Sequence, residues 1–464
     1  MKFFQSIMKT SKLTSVLLVL FVMGFLGCDL VDPNRIDDPN NPSVSEVLNN
    51  ANQAQLQNLV SGLQVRHRNS AAGAMDFIGS FGREVYPMYA SDPRFMGQWL
   101  GLSEGANAET DPSFYSNAQV WTTPYLAIKQ ANILIESVNN TDNITDQQKS
   151  GYLGVAKTFK AFQYLIPLVT QSEENGIRID VNDPLNPGPF QPYNEALTQI
   201  RNLLDQAQTD LQNAGNNFSF ELTSGLSDFN TPSTFINLNR AIDARAAIYE
   251  EDWEGALQSL QDAQPFFELA EGEAVMNKGA EFVYTGPPDA FNPYYYPENA
   301  ATNQIVMVHP SMIADAESGD ERVDNKFFQR NTPVTVGGKS ASYQDNRFES
   351  NTDPFPWLSN QELILIYAEA KAQRNQGTDL ADAVTAINYV RNTWGLNDFT
   401  STNQDAVIDQ VLFERRYSLW GEFGHRWIDA KRYDRLDQLP ADGGTIYGYI
   451  ARPLSEINWE DFNS

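Results

Sequence analysis

From residue 48 onward, apolar side chains recur every three or four positions, the spacing that gathers them on one face of a helix. Leu48 to Val65 is the first such run and predicts a helix with Leu56, Leu59, Val60 and Leu63 on one side. Trp121 to Val138 and Gly151 to Val169 follow, the second with alanines and aromatics at helical spacing. Asn194 to Leu211 is amphipathic, with Leu197, Ile200, Leu204, Ala207 and Leu211 in phase.

Two later stretches each predict a pair of helices. Leu238 to Ala263 gives a helix, a short acidic turn and a second helix. Its Trp253 and Ala256 stand where a tetratricopeptide repeat places an aromatic and a small residue, so that two helices approach closely and the ring fills the gap. Asn360 to Asn392 repeats the design, with Ala368, Ala370 and Ala372 in the first helix, Gly377 in the turn, and Ala383, Ile387 and Val390 in the second. The predicted fold is mainly α: a tetratricopeptide-like helical-repeat scaffold with long, irregular, aromatic-rich loops and a few short strands, one at Gln304 to Val308. The two long loops run from Tyr86 to Tyr115 and from Phe282 to Tyr296. Loops of that length in a compact domain are functional or disordered, and their aromatic content speaks against disorder.

The first residues follow a different pattern. Lys2, Lys9 and Lys12 precede the apolar run Leu13 to Leu26, then come Gly27 and Cys28, the only cysteine. A basic start, a short apolar stretch and a small residue describe a secretory signal; the run is short for a membrane span. The polar, Pro/Asn-rich stretch after Cys28 reads as a flexible tether. The expected organisation is a signal peptide over 1–27, a tether over 28–45 and one helical domain over 46–464. The formal net charge of −27 offers no basic stripe for phosphates and argues against nucleic acid as a partner.

Little points to catalysis. His67, His309 and His425 share no metal-binding spacing, and neither a nucleophile elbow nor a glycine-rich phosphate loop is present. No cofactor, metal or catalytic residue is assigned, although paired carboxylates leave glycosidase chemistry open in so acidic a chain. Asp315, Glu317 and Asp320 around Gly319 depart from the twelve-residue calcium loop and read as a solvated acidic turn. The dense segment "ERRYSLWGEFGHRW" reads as a structural clamp, with Glu414, Arg415, Glu422 and Arg426 pairing along or between helices beside Trp420 and Trp427. Neighbouring arginines would keep its glutamates ionised, which suits a general acid poorly. Ligand binding falls instead to the loop aromatics, whose faces suit sugar rings. The candidates are Tyr86, Tyr89, Asp92, Arg94, Phe95 and Trp99 in the first loop, and Tyr284, Phe291, Tyr294, Tyr295 and Tyr296 in the second. Taken singly, each ring is more often packed under its own loop than against a ligand.

The order of these features resembles the SusD/RagB family of outer-membrane nutrient-binding lipoproteins. Gly27-Cys28 resembles a lipobox, with Cys28 as the lipidated residue. "SDPRF", "WTTPYLAIKQANILIESV" and "AKTFKAFQYLIPL" resemble successive segments of that family, Lys160 standing where arginine is common. "GDERVDNKFF", "LIYAEAKAQ" with "AVTAINYVRNTWGL", "FERRYSLWGEFGHRWIDAKR" and "IARPLSEINWE" resemble its later ones. The resemblance implies a non-catalytic protein lipid-anchored in the outer membrane and facing the cell exterior. It would capture an oligosaccharide, or less often a peptide, and act as the lid of a SusC-like TonB-dependent transporter. The rival readings are a secreted glycoside hydrolase and a structural surface lipoprotein that binds no sugar.

Overall fold

The computed structural model describes residues 44–463 apart from 104 and 184. The expected signal peptide, Cys28 and all but the last residues of the tether lie outside them. The chain opens with α1 (Val44–Asn50), α2 (Gln53–Gly73) and α3 (Met75–Phe81). The single helix expected over 48–65 is thus two, and the break has a local cause. The Asn52 side chain accepts from the Gln55 backbone N–H while the Gln55 side chain accepts from the Asn52 N–H, a reciprocal cap that starts a new helix.

The loop expected over 86–115 contains regular structure. Strand β1 (Val85–Tyr89) is followed by α4 (Pro93–Trp99), which Asp92 caps and Pro93 starts in its first turn. Next come α5 (Thr122–Asn140), α6 (Asp146–Asn175), the short ribbon β2 (Ile177–Arg178) and β3 (Phe190–Gln191), α7 (Tyr193–Gln212), α8 (Pro232–Tyr249) and α9 (Trp253–Asp262). A short α10 (Glu273–Met276) leads into β4 (Gly279–Phe282) and β5 (Gln304–Val308), then α11 (Pro310–Ala314) and α12 (Glu321–Lys326). Strands β6 (Phe327–Val336), β7 (Lys339–Asp345) and β8 (Phe355–Ser359) precede α13 (Asn360–Arg374), α14 (Asp379–Thr393), α15 (Gln404–Ser418), α16 (His425–Arg432) and α17 (Leu454–Asn463).

The long helices stack in chain order. α6 lies between α5 and α7, α8 packs on α7 and pairs with α9, α9 meets α13, and α13 pairs with α14 and supports α15. Both predicted hairpins, α8–α9 and α13–α14, are present and adjacent. Close approach depends on small residues: a Cβ at Gly154 of α6 would stand 2.5 Å from Leu211 Cγ of α7.

Strand order in the main sheet is β1-β5-β7-β6, antiparallel throughout. Along β1 and β5, Val85 opposes Val308 and Tyr89 opposes Gln304. β6 and β7 form a hairpin whose turn residues Gly337 and Gly338 both have positive φ, the backbone that a two-residue hairpin turn requires. A satellite core of Tyr86, Met88, Met96, Leu100, Ile305, Met307 and Ala341 forms between this sheet and α4, apart from the main helical core.

The arginine-rich segment is structural, but its partners are remote. Glu414 is paired with Arg322 at 2.6 Å and Arg391 at 2.8 Å, and Arg415 with Asp429 at 2.6 Å. Nearby Arg245 and Glu362, both 0 % exposed, form a bidentate pair between α8 and α13. Glu414 and Arg415 thus pair between elements rather than along their own helix, and Arg426 donates to the Arg83 carbonyl. The turn 315–320 is mostly exposed, and each of its acids also holds an arginine. Asp315 holds Arg416, Glu317 holds Arg391, and Asp320 holds Arg322. Asp315 and Glu317 remain about half exposed, so the turn is solvated as expected there, and only Asp320 is buried with its arginine.

Candidate functional site

β1 runs antiparallel to β5, so the chain leaving Tyr89 and the chain arriving at Gln304 meet at one end of the ladder. The Ala90 N–H donates to the Asn303 carbonyl at 2.7 Å, and the Gln304 side chain donates to Ser91 Oγ at 3.0 Å. The first aromatic loop therefore leaves from the place to which the chain returns after the second, although the two lie some two hundred residues apart in sequence.

Period-two alternation sorts the aromatics of β1. Tyr86 points into the satellite core, 3 % exposed, its ring 4.6 Å from His309. Tyr89 points to the other face, where its hydroxyl donates to Asp76 Oδ2 at 2.8 Å. From there a chain of edge-to-face rings runs outward: Tyr89 to Phe95 at 4.5 Å and Phe95 to Tyr115 at 5.0 Å. The Arg94 guanidinium covers the Tyr115 ring at 3.8 Å and pairs with Asp92 at 2.6 Å. That hydrogen-bonded guanidinium holds the Asp92 carboxyl below the usual range, so it is an anion ready to accept hydroxyl hydrogen bonds. The ring of Tyr296 stands beside Tyr89 and Asp76, bringing the second loop into the group. Burial raises Asp76 to about 6, against the hydrogen bonds from Tyr89 and the Phe77 N–H.

Not every predicted residue joins this surface. Trp99 is 0 % exposed, packs on Phe77 at 4.9 Å and Phe95 at 4.8 Å, and donates its indole N–H to the Tyr115 carbonyl at 3.1 Å. It anchors the loop and has no face to offer a ligand. Tyr294 is buried, its hydroxyl held by the Ala72 carbonyl. Tyr284 is buried under Arg68, which is itself locked to Asp289. Phe291 is 47 % exposed beside Gly286, and no contact links it to the Tyr89–Tyr115 row. The rings with exposed surface near the ladder's end are Tyr89, Phe95, Tyr115, Tyr295 and Tyr296, all half-buried. Tyr115 and Asp76 were not singled out from sequence. Tyr115 closes the first loop and shares its aromatic character, which was the available signal; nothing local marks Asp76.

Two other arrangements bear on chemistry. His309 Nε2 lies 2.8 Å from Asp442 Oδ2 and its Nδ1 lies 2.9 Å from Ser311 Oγ, a serine–histidine–aspartate chain. Nδ1 also accepts from the Ser311 backbone N–H, and Ser311 Oγ accepts from Arg416, so the set caps α11 and ties it to α15. Among the described residues, no group of three or more histidines, cysteines or acids is placed to hold a metal ion. Among them too, no helix is long and apolar enough to cross a membrane.

Comparison with known proteins agrees with this architecture. The model of the SusD family matches residues 316–461. No curated protein matches the sequence. Among solved structures, a SusD superfamily protein from Bacteroides vulgatus superposes with a TM-score of 0.67 at 12% identity, over 88% of this chain and 97% of that one. Surface glycan-binding protein A from Bacteroides thetaiotaomicron, in complex with laminarihexaose, superposes with a TM-score of 0.64 at 14% identity, over 87% and 97%. A laminarin binding SusD-like protein gives 0.64 at 16% identity, over 86% and 97%. The segment 316–461 thus matches the SusD family model, and the described chain has the fold of the SusD-like proteins.

Proposed function

We propose that this protein binds a nutrient oligosaccharide at the cell surface and passes it to a TonB-dependent outer-membrane transporter, acting as the transporter's lid. The observation that carries the binding step is the convergence of Tyr89, Phe95, Tyr115 and Tyr296 at one end of the β1–β5 ladder, with the Asp92–Arg94 pair at the rim. Half-buried rings present flat apolar faces to the C–H face of a sugar, and the rim carboxylate and guanidinium serve its hydroxyls. The satellite core fixes α4 beneath them, so the rings are held in place before ligand arrives. Similar folds that bind laminarihexaose or laminarin support the oligosaccharide class. Anchoring through Cys28 and delivery to a transporter rest on the lipobox-like start and on the match of residues 316–461 to the SusD family model. The site binds and releases its cargo unchanged.

The test is calorimetric titration of the purified protein with a panel of soluble oligosaccharides, laminarihexaose included. Tyr115→Ala is expected to weaken binding of the responding glycan by about tenfold, the loss of one stacking ring. Release of shortened sugar during the titration, or unchanged affinity in Tyr115→Ala and Tyr296→Ala, would overturn the reading.

A further inference from the structure

Asp76 stands in the first turn of α3 and is 6 % exposed. Burial acts against charge on its carboxyl, and hydrogen bonds oppose that effect, with no basic side chain among the groups that do so. The two oxygens have different partners. Oδ1 accepts from the Phe77 backbone N–H at 2.9 Å, a bond local to the helix. Oδ2 accepts from the Tyr89 hydroxyl at 2.8 Å, a bond that crosses from α3 to the ring surface.

Tyr89 is the root of that surface. Its ring meets Phe95 at 4.5 Å and 87°, and Phe95 meets Tyr115 at 5.0 Å and 85°. Edge-to-face contacts tie the plane of each ring to the next. The strand fixes where the Tyr89 side chain starts, but its terminal torsion is soft, so an anchor at the hydroxyl decides how the ring sits. Tyr294 and Tyr296 of the second loop also lie close to the Tyr89 hydroxyl, so rings from both loops gather around one carboxylate. We infer that Asp76 is a positioning residue of the ring surface: as a carboxylate it holds Tyr89, and with it the row to Tyr115, and on protonation it lets go.

The ionised carboxylate accepts at both oxygens, whereas the acid has turned one of them into a donor. The Phe77 N–H is fixed by the helix and keeps its oxygen, so the proton goes to the oxygen that faces Tyr89. The hydroxyl then loses its acceptor and the ring is free to turn. Burial raises the Asp76 carboxyl to about 6, so the change falls in mildly acidic solution. The titratable groups facing Asp76 are Tyr89 from β1 and Tyr294 and Tyr296 from the second loop. Burial raises all three hydroxyls, so none of them is charged there. Asp92 at the rim is held below the usual carboxylate range and stays ionised. The consequence for sugar binding rests on the glycan reading; the hold on the rings does not.

The experiment uses the full chain with 13C-labelled tyrosine rings, followed by NMR from pH 5 to pH 7. The Tyr89 and Tyr115 signals are expected to move together with one midpoint near pH 6. In Asp76→Asn that step is expected to vanish while the urea midpoint shows the fold retained. Tyr89→Phe keeps the ring and removes the hydroxyl; it is expected to abolish the Tyr115 step, and it carries the test alone if Asp76→Asn does not fold. In calorimetry with laminarihexaose, wild-type affinity is expected to fall about threefold from pH 7 to pH 5, the scale of one hydrogen bond, and Tyr89→Phe to be pH-independent. A Tyr115 signal with no step, or a step that survives in Asp76→Asn, would overturn the inference. So would a flat wild-type affinity profile beside a loss in Tyr115→Ala, an outcome that leaves the glycan reading standing. Steps in the ring signals, with laminarihexaose affinity untouched by Tyr115→Ala, would support the hold of Asp76 on the rings and overturn the glycan reading instead.

Discussion

At the scale of the residue, burial divides aromatics that look alike in sequence. Trp99 and Tyr115 sit on one loop, yet one is fully enclosed and the other half-exposed. Trp99→Ala is expected to cost about 3 to 5 kcal/mol, because it leaves a cavity between Phe77 and Phe95. Urea unfolding would show this as a lower midpoint, and any loss of glycan affinity would follow from disorder of α4. Tyr115→Ala is expected to leave that midpoint nearly unchanged while affinity falls. Phe291→Ala is expected to change neither, since its ring stands apart from the Tyr89–Tyr115 row. The sequence could show which loops are rich in rings but not which faces stay wet. For β1, that depends on the parity of the spacing: Tyr86 and Tyr89, three residues apart in a strand, point to opposite sides. Asp76 is invisible for a similar reason, because its role arises from Tyr89 crossing to α3.

At the scale of the element, local periodicity carried most of the helices. The runs at 151–169 and 194–211 lie inside α6 and α7, that at 121–138 begins one residue before α5, and the hairpins α8–α9 and α13–α14 come close to their expected spans. Helical spacing records burial against neighbours on one face, so it survives in sequence. Strand pairing is non-local and was read only at Gln304–Val308. One strand signal was available: Gly337-Gly338 between two β-rich runs marks the β6–β7 hairpin. The buried ion pairs belong to this scale too, since they join elements. Glu362→Gln removes the carboxylate that holds Arg245 between α8 and α13 and leaves a guanidinium uncompensated in the core. Its cost is expected to be about 3 to 5 kcal/mol. Replacing Arg245 with Met and Glu362 with Leu together is expected to recover much of that loss, because neither charge is then stranded. Equal destabilisation of the single and double variants in urea would show that the pair acts only by filling space.

At the scale of the whole molecule, buried titratable groups of two kinds shape stability against pH. Burial pushes Glu84 up to about 8, offset in part by Arg426 and the Gly421 backbone N–H, and pushes Asp76 up to about 6. Both lie above their unfolded values, so between the unfolded and folded pKa the native state holds a proton that the unfolded chain has released. Their contribution to stability is complete at low pH and is lost as pH rises, from near 4 to about 6 for Asp76 and to about 8 for Glu84. Buried amines act in the opposite sense. Burial lowers Lys431 to about 7 and Lys160 to about 8, so above those values the unfolded chain binds the extra proton and stability rises with pH. The three buried histidines, lowered by burial, also raise stability with pH up to about 6.5; above that the two trends cross between pH 7 and 8, where a shallow minimum in the urea midpoint is expected. Glu84, 0 % exposed, contributes a slope of up to about 1.4 kcal/mol per pH unit below that minimum. Glu84→Gln is expected to flatten the acid limb of the profile and leave the alkaline limb intact, whereas Lys431→Met should do the reverse. A Glu84→Gln profile that matches the wild type from pH 5 to pH 8 would show that Glu84 is ionised in the folded protein, with Arg426 rather than burial governing it.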